Sequence, residues 1–315
     1  MELPCGAAAP HLLLGAAGIG GLLLVATAVG LLMRLRPRLK QLADEVLTRT
    51  LAWWFMAVGF FAALLGGATA TTVLFGAISF LALREFVTLA PTRRADHHTL
   101  FWAFFVILPL QYVIIGSGWY GMAAIFIPVW AFLFVAIRST LTGDANNYLQ
   151  RAAVIHWGLM LCVYCLSHIP LLLILQPAGF TGRQAELILW LVLVVELSDV
   201  LQFVWGKAIG RHRIAPHLSP NKTWEGFLGG GACAAGLGCA LWWLTPYTPL
   251  LALAMASGAV CLGFAGGIVM SAIKRDAGIK DFGHLLPGHG GLLDRVDSLI
   301  FAAPAVFHLT RFYWS

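Results

Sequence analysis

The chain has 315 residues, of which 60% are hydrophobic and 11% charged, with a mean hydropathy of +0.84. A soluble domain carries about 25% charged residues, so this composition excludes an ordinary soluble enzyme and points to an all-α, polytopic transmembrane bundle of about ten spans. The formal net charge of +6 would suit nucleic acid in a soluble protein, but in an apolar chain it reads as basic loops gathered on one side of a membrane.

The first apolar run, about Leu12 to Met33, has no Lys or Arg before Arg34 and is too long for the core of a signal peptide, so it reads as an uncleaved span. A basic loop follows (Arg34, Arg36, Arg38, Lys40 and Arg49, with Asp44 and Glu45). Spans two and three are about Leu51–Gly66 and Ala68–Leu89, joined at Gly66-Gly67. Spans four to seven are about Leu100–Ile115, Tyr120–Ile137, Ala153–Leu175 and Ala185–Trp205. A polar loop from Lys207 to Trp224 leads to spans eight and nine, about Glu225–Leu244 and Leu250–Met270. A second polar stretch, 271–297, precedes span ten, about Ser298–Phe312. Spans one to five (1–150) read as an N-terminal helical region and 151–315 as the catalytic one. With ten spans, 18 of the 20 Lys and Arg fall in loops on one side, all but Arg183 and Arg311. The positive-inside rule then places those loops in the cytoplasm and both termini outside. Cys162 and Cys165 form a CxxC pair within an apolar run, which reads as helix packing rather than metal or redox chemistry. Gly229-Gly230-Gly231 suits close helix contact.

Three segments carry residues suited to chemistry. Span seven holds Glu196 and Asp199 three apart, hence on one helix face. Acids at membrane depth are costly and face a cavity or a partner. The loop Ser219-Pro220-Asn221-Lys222-Thr223-Trp224-Glu225-Gly226 offers an extended Pro-fixed entry, a cap for span eight from Asn221 or Thr223, and hydroxyls and a lysine at a helix N-terminus, a natural phosphate site. A capped helix flanked by positive-inside charge is the plainer alternative. The stretch Lys274 to Asp281 packs Lys274, Arg275, Asp276, Lys280 and Asp281 into eight residues, then reaches Pro287-Gly288-His289-Gly290-Gly291 and the pair Asp294, Asp297. Glycines let backbone N–H groups approach an anion, and two carboxylates beside phosphate oxygens suit Mg²⁺. Arg295 is placed to bind phosphate or to pair with Asp281. Zinc on His284 and His289 is disfavoured by the oxygen-rich surroundings.

At these residues the chain resembles the phosphatidate cytidylyltransferases (CDP-diacylglycerol synthases). The C-terminal pattern of that family is met by Ser271, Lys274, Arg275, Lys280, Asp281, Pro287, Gly288, His289, Gly290, Gly291, Asp294, Arg295 and Asp297. Its upstream element is met by Ser219, Pro220, Lys222, Thr223, Glu225 and Gly226, and its intramembrane acid by Asp199. The chain departs from the pattern at Gly267, where the family usually carries an Asp, and at Gln202-Phe203. It is read as a divergent branch.

The resemblance implies the reaction of CTP with phosphatidate, or a similar anionic phospholipid, to give CDP-diacylglycerol and pyrophosphate in phospholipid biosynthesis. It implies Mg²⁺ on Asp294 with Asp199 or Asp297, and room for a monovalent cation. Lys222, Lys274, Arg275, Lys280, Asp281 and His289 would be catalytic. Ser219, Pro220, Asn221, Thr223, Glu225, Gly288, Gly290, Gly291 and Arg295 would bind substrate. The expected setting is a bacterial inner membrane with the site facing the cytoplasm, no nucleic acid, and a homodimer as candidate assembly. A transporter or flippase of an anionic lipid or nucleotide, or a non-catalytic relative, are the alternatives.

Overall fold

The computed structural model describes residues 9–89, 93, 96–285 and 290–314, so Pro287, Gly288 and His289 lie outside the described residues. The described chain forms ten helical rods and one small hairpin. The rods are α1 (Ala9–Arg34), α2 (Lys40–Leu65), α3 (Gly67–Val87), α4 (His97–Gly116), α5 (Tyr120–Thr140), α6 (Tyr148–Ile174), α7 (Gln184–Ile209), α8 (Trp224–Ala240), α9 (Pro249–Asp276) and α10 (Leu293–Trp314). The fold is an all-α polytopic bundle. Eight of these helices are long and apolar enough to cross a membrane; α8 and α10 fall short of that description. Seventeen residues make α8 about 25 Å long, less than the roughly 30 Å of a hydrocarbon core, and α10 opens with Asp294, Arg295 and Asp297.

Each expected span has a helix at its place, and several run further toward the polar end than hydropathy shows. Helix α2 begins at Lys40 rather than near Leu51, and its basic first turns are held by Arg34–Asp44 at 3.1 Å and Arg49–Glu45 at 2.7 Å. Helix α9 runs to Asp276, which makes Ser271 to Asp276 helical rather than part of a loop. Helices α4, α5 and α6 each contain a π-helical stretch, at Ala103–Ile107, Phe126–Ala131 and Leu159–Cys165. Such widened turns shift the buried face of a helix partway along it.

The loop expected between spans seven and eight carries two short antiparallel strands, β1 (Arg213–Ala215) and β2 (Ser219–Thr223), with Arg213 opposite Thr223 and Ala215 opposite Ser219. Pro220 is tolerated because a two-stranded ribbon is all edge. Below the hairpin, α7 and α8 pack backbone to backbone. A methyl group on Gly230 would run into the Gln202 backbone, one on Gly226 would sit 2.7 Å from Gln202 O, and one on Gly229 2.7 Å from the Trp205 ring. The glycine run thus gives α7 and α8 the close contact that apolar side chains cannot supply in lipid. Trp190, fully buried on α7, locks the far end of this pair by donating to Gly238 O at 2.9 Å.

Candidate active site

The site sits where the polar ends of α7, α9 and α10 meet the hairpin, and the separate sequence motifs converge there. Helix α7 contributes Asp199 with Glu196 one turn below it, and β2 contributes Lys222. The first turns of α10 contribute Arg295, Asp297 and Ser298. Ser298 Oγ donates to Asp199 Oδ2 at 2.7 Å and lies 3.4 Å from Asp297 Oδ1, an oxygen that also accepts from Ser298 N at 2.8 Å. One hydroxyl therefore ties the acid of α7 to the acid of α10. Lys222 Nζ reaches over the Phe264 ring, 4.7 Å from its centroid, and donates to Phe264 O at 3.4 Å. Burial pulls Lys222 below the ordinary lysine range, while Asp199 and Asp297 pull it back up. Arg295 lies within charge range of Glu196 and Asp199, and its Nε is buried with no hydrogen-bond partner among the described residues. A buried guanidinium N–H left unsatisfied costs free energy, and an anion would relieve it. Arg295 does not pair with Asp281 among the described residues.

Asp294 has a different set of partners. Its Oδ1 accepts from Lys274 Nζ at 2.8 Å and its Oδ2 from Phe282 N at 2.9 Å and Gly291 N at 3.0 Å. It is a clamp that ties Lys274, Phe282 and Gly291 to the start of α10. Gly290 (φ 80°) lets the chain turn there, since a methyl group would lie 3.1 Å from Asp294 Oδ2 and 3.4 Å from Asp281 Cβ. Lys274 also lies 5.2 Å from the centroid of the Phe282 ring, which is buried and stacks on Phe86.

The remaining motif residues divide between the scaffold and the exposed rim. Thr223 Oγ1 accepts from Gly226 N at 3.1 Å and caps α8. Glu225 accepts from Arg211 N at 3.0 Å, His212 N at 3.2 Å and His212 Nδ1 at 2.6 Å, which anchors the hairpin's entry. Arg275 Nε donates to Leu218 O at 3.3 Å, and its Nη1 donates to Ile279 O at 3.2 Å. The hairpin tip is thereby docked on the end of α9. Pro220, Asn221, Lys280 and Asp281 are exposed at the rim and Ser219 is half-buried.

Two participants escaped the motif reading. Ser298 joins the two acids. Glu85, at the polar end of α3, crosses the bundle to accept from Leu292 N at 2.9 Å and Leu293 N at 2.8 Å. It thus satisfies two of the backbone donors that a helix start leaves open, and its carboxylate packs against Gly283 and Gly291 so closely that a side chain at either would collide with it. In the sequence it is an acid beside Arg84 near the end of an apolar run, and nothing local there shows that it reaches α10.

Mg²⁺ takes one or two carboxylates, with water and substrate phosphate completing six oxygens. Asp199 and Asp297, joined through Ser298, match that donor set, whereas both oxygens of Asp294 are engaged. Among the described residues no group of three or more His, Cys, Asp or Glu is placed to hold a metal alone. Phosphate oxygens would have to complete the shell.

Comparison with known proteins gives the chain its family. Residues 47–313 match the Cytidylyltransferase family. The chain is 40% identical over 294 residues to "Uncharacterized protein YnbB" of Escherichia coli (strain K12), covering 92% of this chain and 95% of that protein. It is 35% identical over 170 residues to "Phosphatidate cytidylyltransferase" of Mycobacterium leprae (strain TN), 52% of this chain and 51% of that protein. It is 40% identical over 127 residues to the protein of the same name from Staphylococcus saprophyticus, 37% of this chain and 46% of that one. The match thus spans about half the length of these two phosphatidate cytidylyltransferases.

Proposed function

This chain belongs to the cytidylyltransferase family, and from that premise we propose that it transfers the cytidylyl group of CTP to the phosphate of phosphatidate or a closely similar anionic phospholipid. The observation that carries the reading is the convergence of Lys222, Arg295, Asp199 and Asp297 from three elements into one site at the polar end of an apolar bundle, with Arg295 Nε buried and unsatisfied among the described residues. Two phosphorylated substrates repel each other, and fixed cations that hold both in register remove much of that barrier.

In this reading a lipid phosphate oxygen attacks the α-phosphorus of CTP. The bond from that phosphorus to the β-phosphate bridging oxygen breaks, and pyrophosphate leaves with the electron pair. No proton need move and no covalent enzyme intermediate is required. Lys222 and Arg295 hold phosphate oxygens, and Asp199 and Asp297 are placed to hold a divalent ion. When bound, Mg²⁺ would screen the triphosphate and the charge growing on pyrophosphate. The Lys274–Asp294 pair and Glu85 anchor the start of α10, and Arg275 keeps the hairpin seated. The exposed Lys280 extends the positive rim toward the headgroup. In this reading the basic loops face the cytoplasm, as the positive-inside bias favours, where CTP is found.

The test is pyrophosphate release by the purified protein in vesicles supplied with CTP and Mg²⁺, with and without phosphatidate. Release that depends on the lipid acid is expected. Release that ignores the lipid, or none with both substrates present, overturns the proposal.

A further inference from the structure

Gly267, on the last third of α9, faces Lys222 of β2 and Ser298 of α10. A methyl group added there would lie 2.5 Å from Lys222 Nζ and 3.8 Å from Ser298 Oγ. Nothing larger than hydrogen fits without moving the ammonium. That ammonium also feels the charge of both Asp199 and Asp297, which Ser298 links at 2.7 and 3.4 Å. The Lys222 stem is steered into this slot by its place in β2 and by the Phe264 ring and carbonyl. The lysine thus shares the space around position 267 with Ser298, the residue that bonds Asp199, and the absence of a side chain there makes room for it.

We propose that Gly267 and Lys222 act together as an internal counter-cation for the Asp199–Asp297 pair, so that the site discriminates against free divalent ions and takes its metal only together with the nucleotide. A resident ammonium sharing the site with two carboxylates weakens their hold on a free divalent cation, because like charges repel strongly at a protein-like dielectric. An arriving metal–triphosphate reverses the balance. Its phosphate oxygens give Lys222 and Arg295 partners of opposite charge and complete the metal shell that two carboxylates leave open. The ligand class selected is a divalent metal–nucleoside triphosphate complex, and Gly267 with Lys222 is the specificity-determining pair.

The proposal rests on the functional reading above for the identity of the nucleotide, but its first test needs neither nucleotide nor turnover. Free Mn²⁺ would be titrated into the purified full chain, with bound ion counted by electron paramagnetic resonance. The wild type is expected to bind free Mn²⁺ weakly. Lys222→Met, which removes the charge, should tighten binding by about tenfold or more, the scale of one like charge removed beside a divalent ion. Gly267→Ala, which displaces the ammonium but adds no ligand, should tighten it by a smaller factor. Asp297→Asn in the Lys222→Met background should abolish the gain, which locates the ion at these acids. Unchanged or weaker Mn²⁺ binding in both Lys222→Met and Gly267→Ala overturns the proposal, as does a gain that survives Asp297→Asn. Adding CTP to the wild type should raise Mn²⁺ affinity by at least the same tenfold; no rise overturns the coupled uptake. Failure of the lipid-dependent turnover test, with these binding results intact, would refute the cytidylyl-transfer reading and leave this one standing.

Discussion

Two clusters of charge sit at the polar end of this bundle, and they are built in opposite ways. In the first, around Arg151, every charge has its answer. Arg151 is 6% exposed, pairs with Asp96 at 3.0 Å and Asp144 at 3.1 Å, and donates further to the carbonyls of Asp144 (3.0 Å) and Asn146. Asp96 also accepts from Arg93 N at 3.0 Å, and Arg93 itself approaches Asp144 at 3.6 Å. In the second, around Asp199 and Asp297, the acids share one hydroxyl, Lys222 has a single long hydrogen bond, and Arg295 Nε has none among the described residues. The first cluster spends its charges on holding α4 and α6 together. The second leaves them available, and an unsatisfied buried charge is tolerated where a ligand completes it.

The sharpest way to break that contrast is to remove an acid of the open cluster. Asp297→Asn is expected to lower kcat by roughly a thousandfold or more, the scale of losing a metal-holding or oxyanion-type group, with thermal unfolding essentially unchanged. Lys222→Ala should lower kcat/KM by more than about tenfold and leave stability unchanged, since the lysine has few partners to lose. Its pH behaviour adds a second readout. Burial makes Lys222 shed its proton at lower pH than a free lysine, so its useful charge is present at low pH and lost as pH rises. The kcat/KM profile should therefore have an alkaline limb, and Lys222→Arg should move that limb to higher pH.

The closed cluster should respond in the other currency. Arg151→Ala leaves Asp96, which is 5% exposed, without its partner and should cost about 3–5 kcal/mol of stability while kcat/KM stays within about twofold. Denaturant or thermal unfolding in detergent measures the first and steady-state assay the second. The smallest effect is expected at Arg93, whose 3.6 Å pair is half-exposed: Arg93→Ala should change stability by less than about 1 kcal/mol.

Glu85 falls between the two clusters. Glu85→Gln keeps one acceptor for the Leu292 and Leu293 amides but loses the charge at the start of α10. It should raise KM severalfold with little change in kcat, because Glu85 anchors the start of α10, which carries Arg295 of the proposed substrate site.

How much of this was legible in the chain follows from the range of the forces involved. The apolar runs mark the ten rods because burial in lipid is a per-residue property. The hairpin was read as a loop because Arg213-Ile-Ala and Ser219-Pro-Asn-Lys-Thr are short and polar; it is held by Glu225 and Arg275, which are partners from outside the strands. The helical state of Lys274 and Arg275 was hidden because hydropathy ends where the membrane does, while backbone hydrogen bonding continues to Asp276. The π-helical stretches leave no mark in the pattern of apolar residues. At the site, motif spacing brought out Asp199, Lys222, Asp294 and Asp297, but it could not divide their tasks. That Asp294 clamps Lys274 and two amides while Asp297 faces Asp199 depends on where α7 and α10 cross. Ser298 and Glu85 were invisible for the same reason, since their partners lie 99 and more than 200 residues away in sequence.

The most direct test follows the phosphorus. CTP labelled separately at the α and γ positions would be incubated with the purified protein, phosphatidate vesicles and Mg²⁺, and the lipid phase extracted. The account predicts α-label in the lipid and γ-label in soluble pyrophosphate, with both lost in Asp297→Asn. Transfer of γ-label to the lipid, or of neither label to it, would contradict cytidylyl transfer at this site.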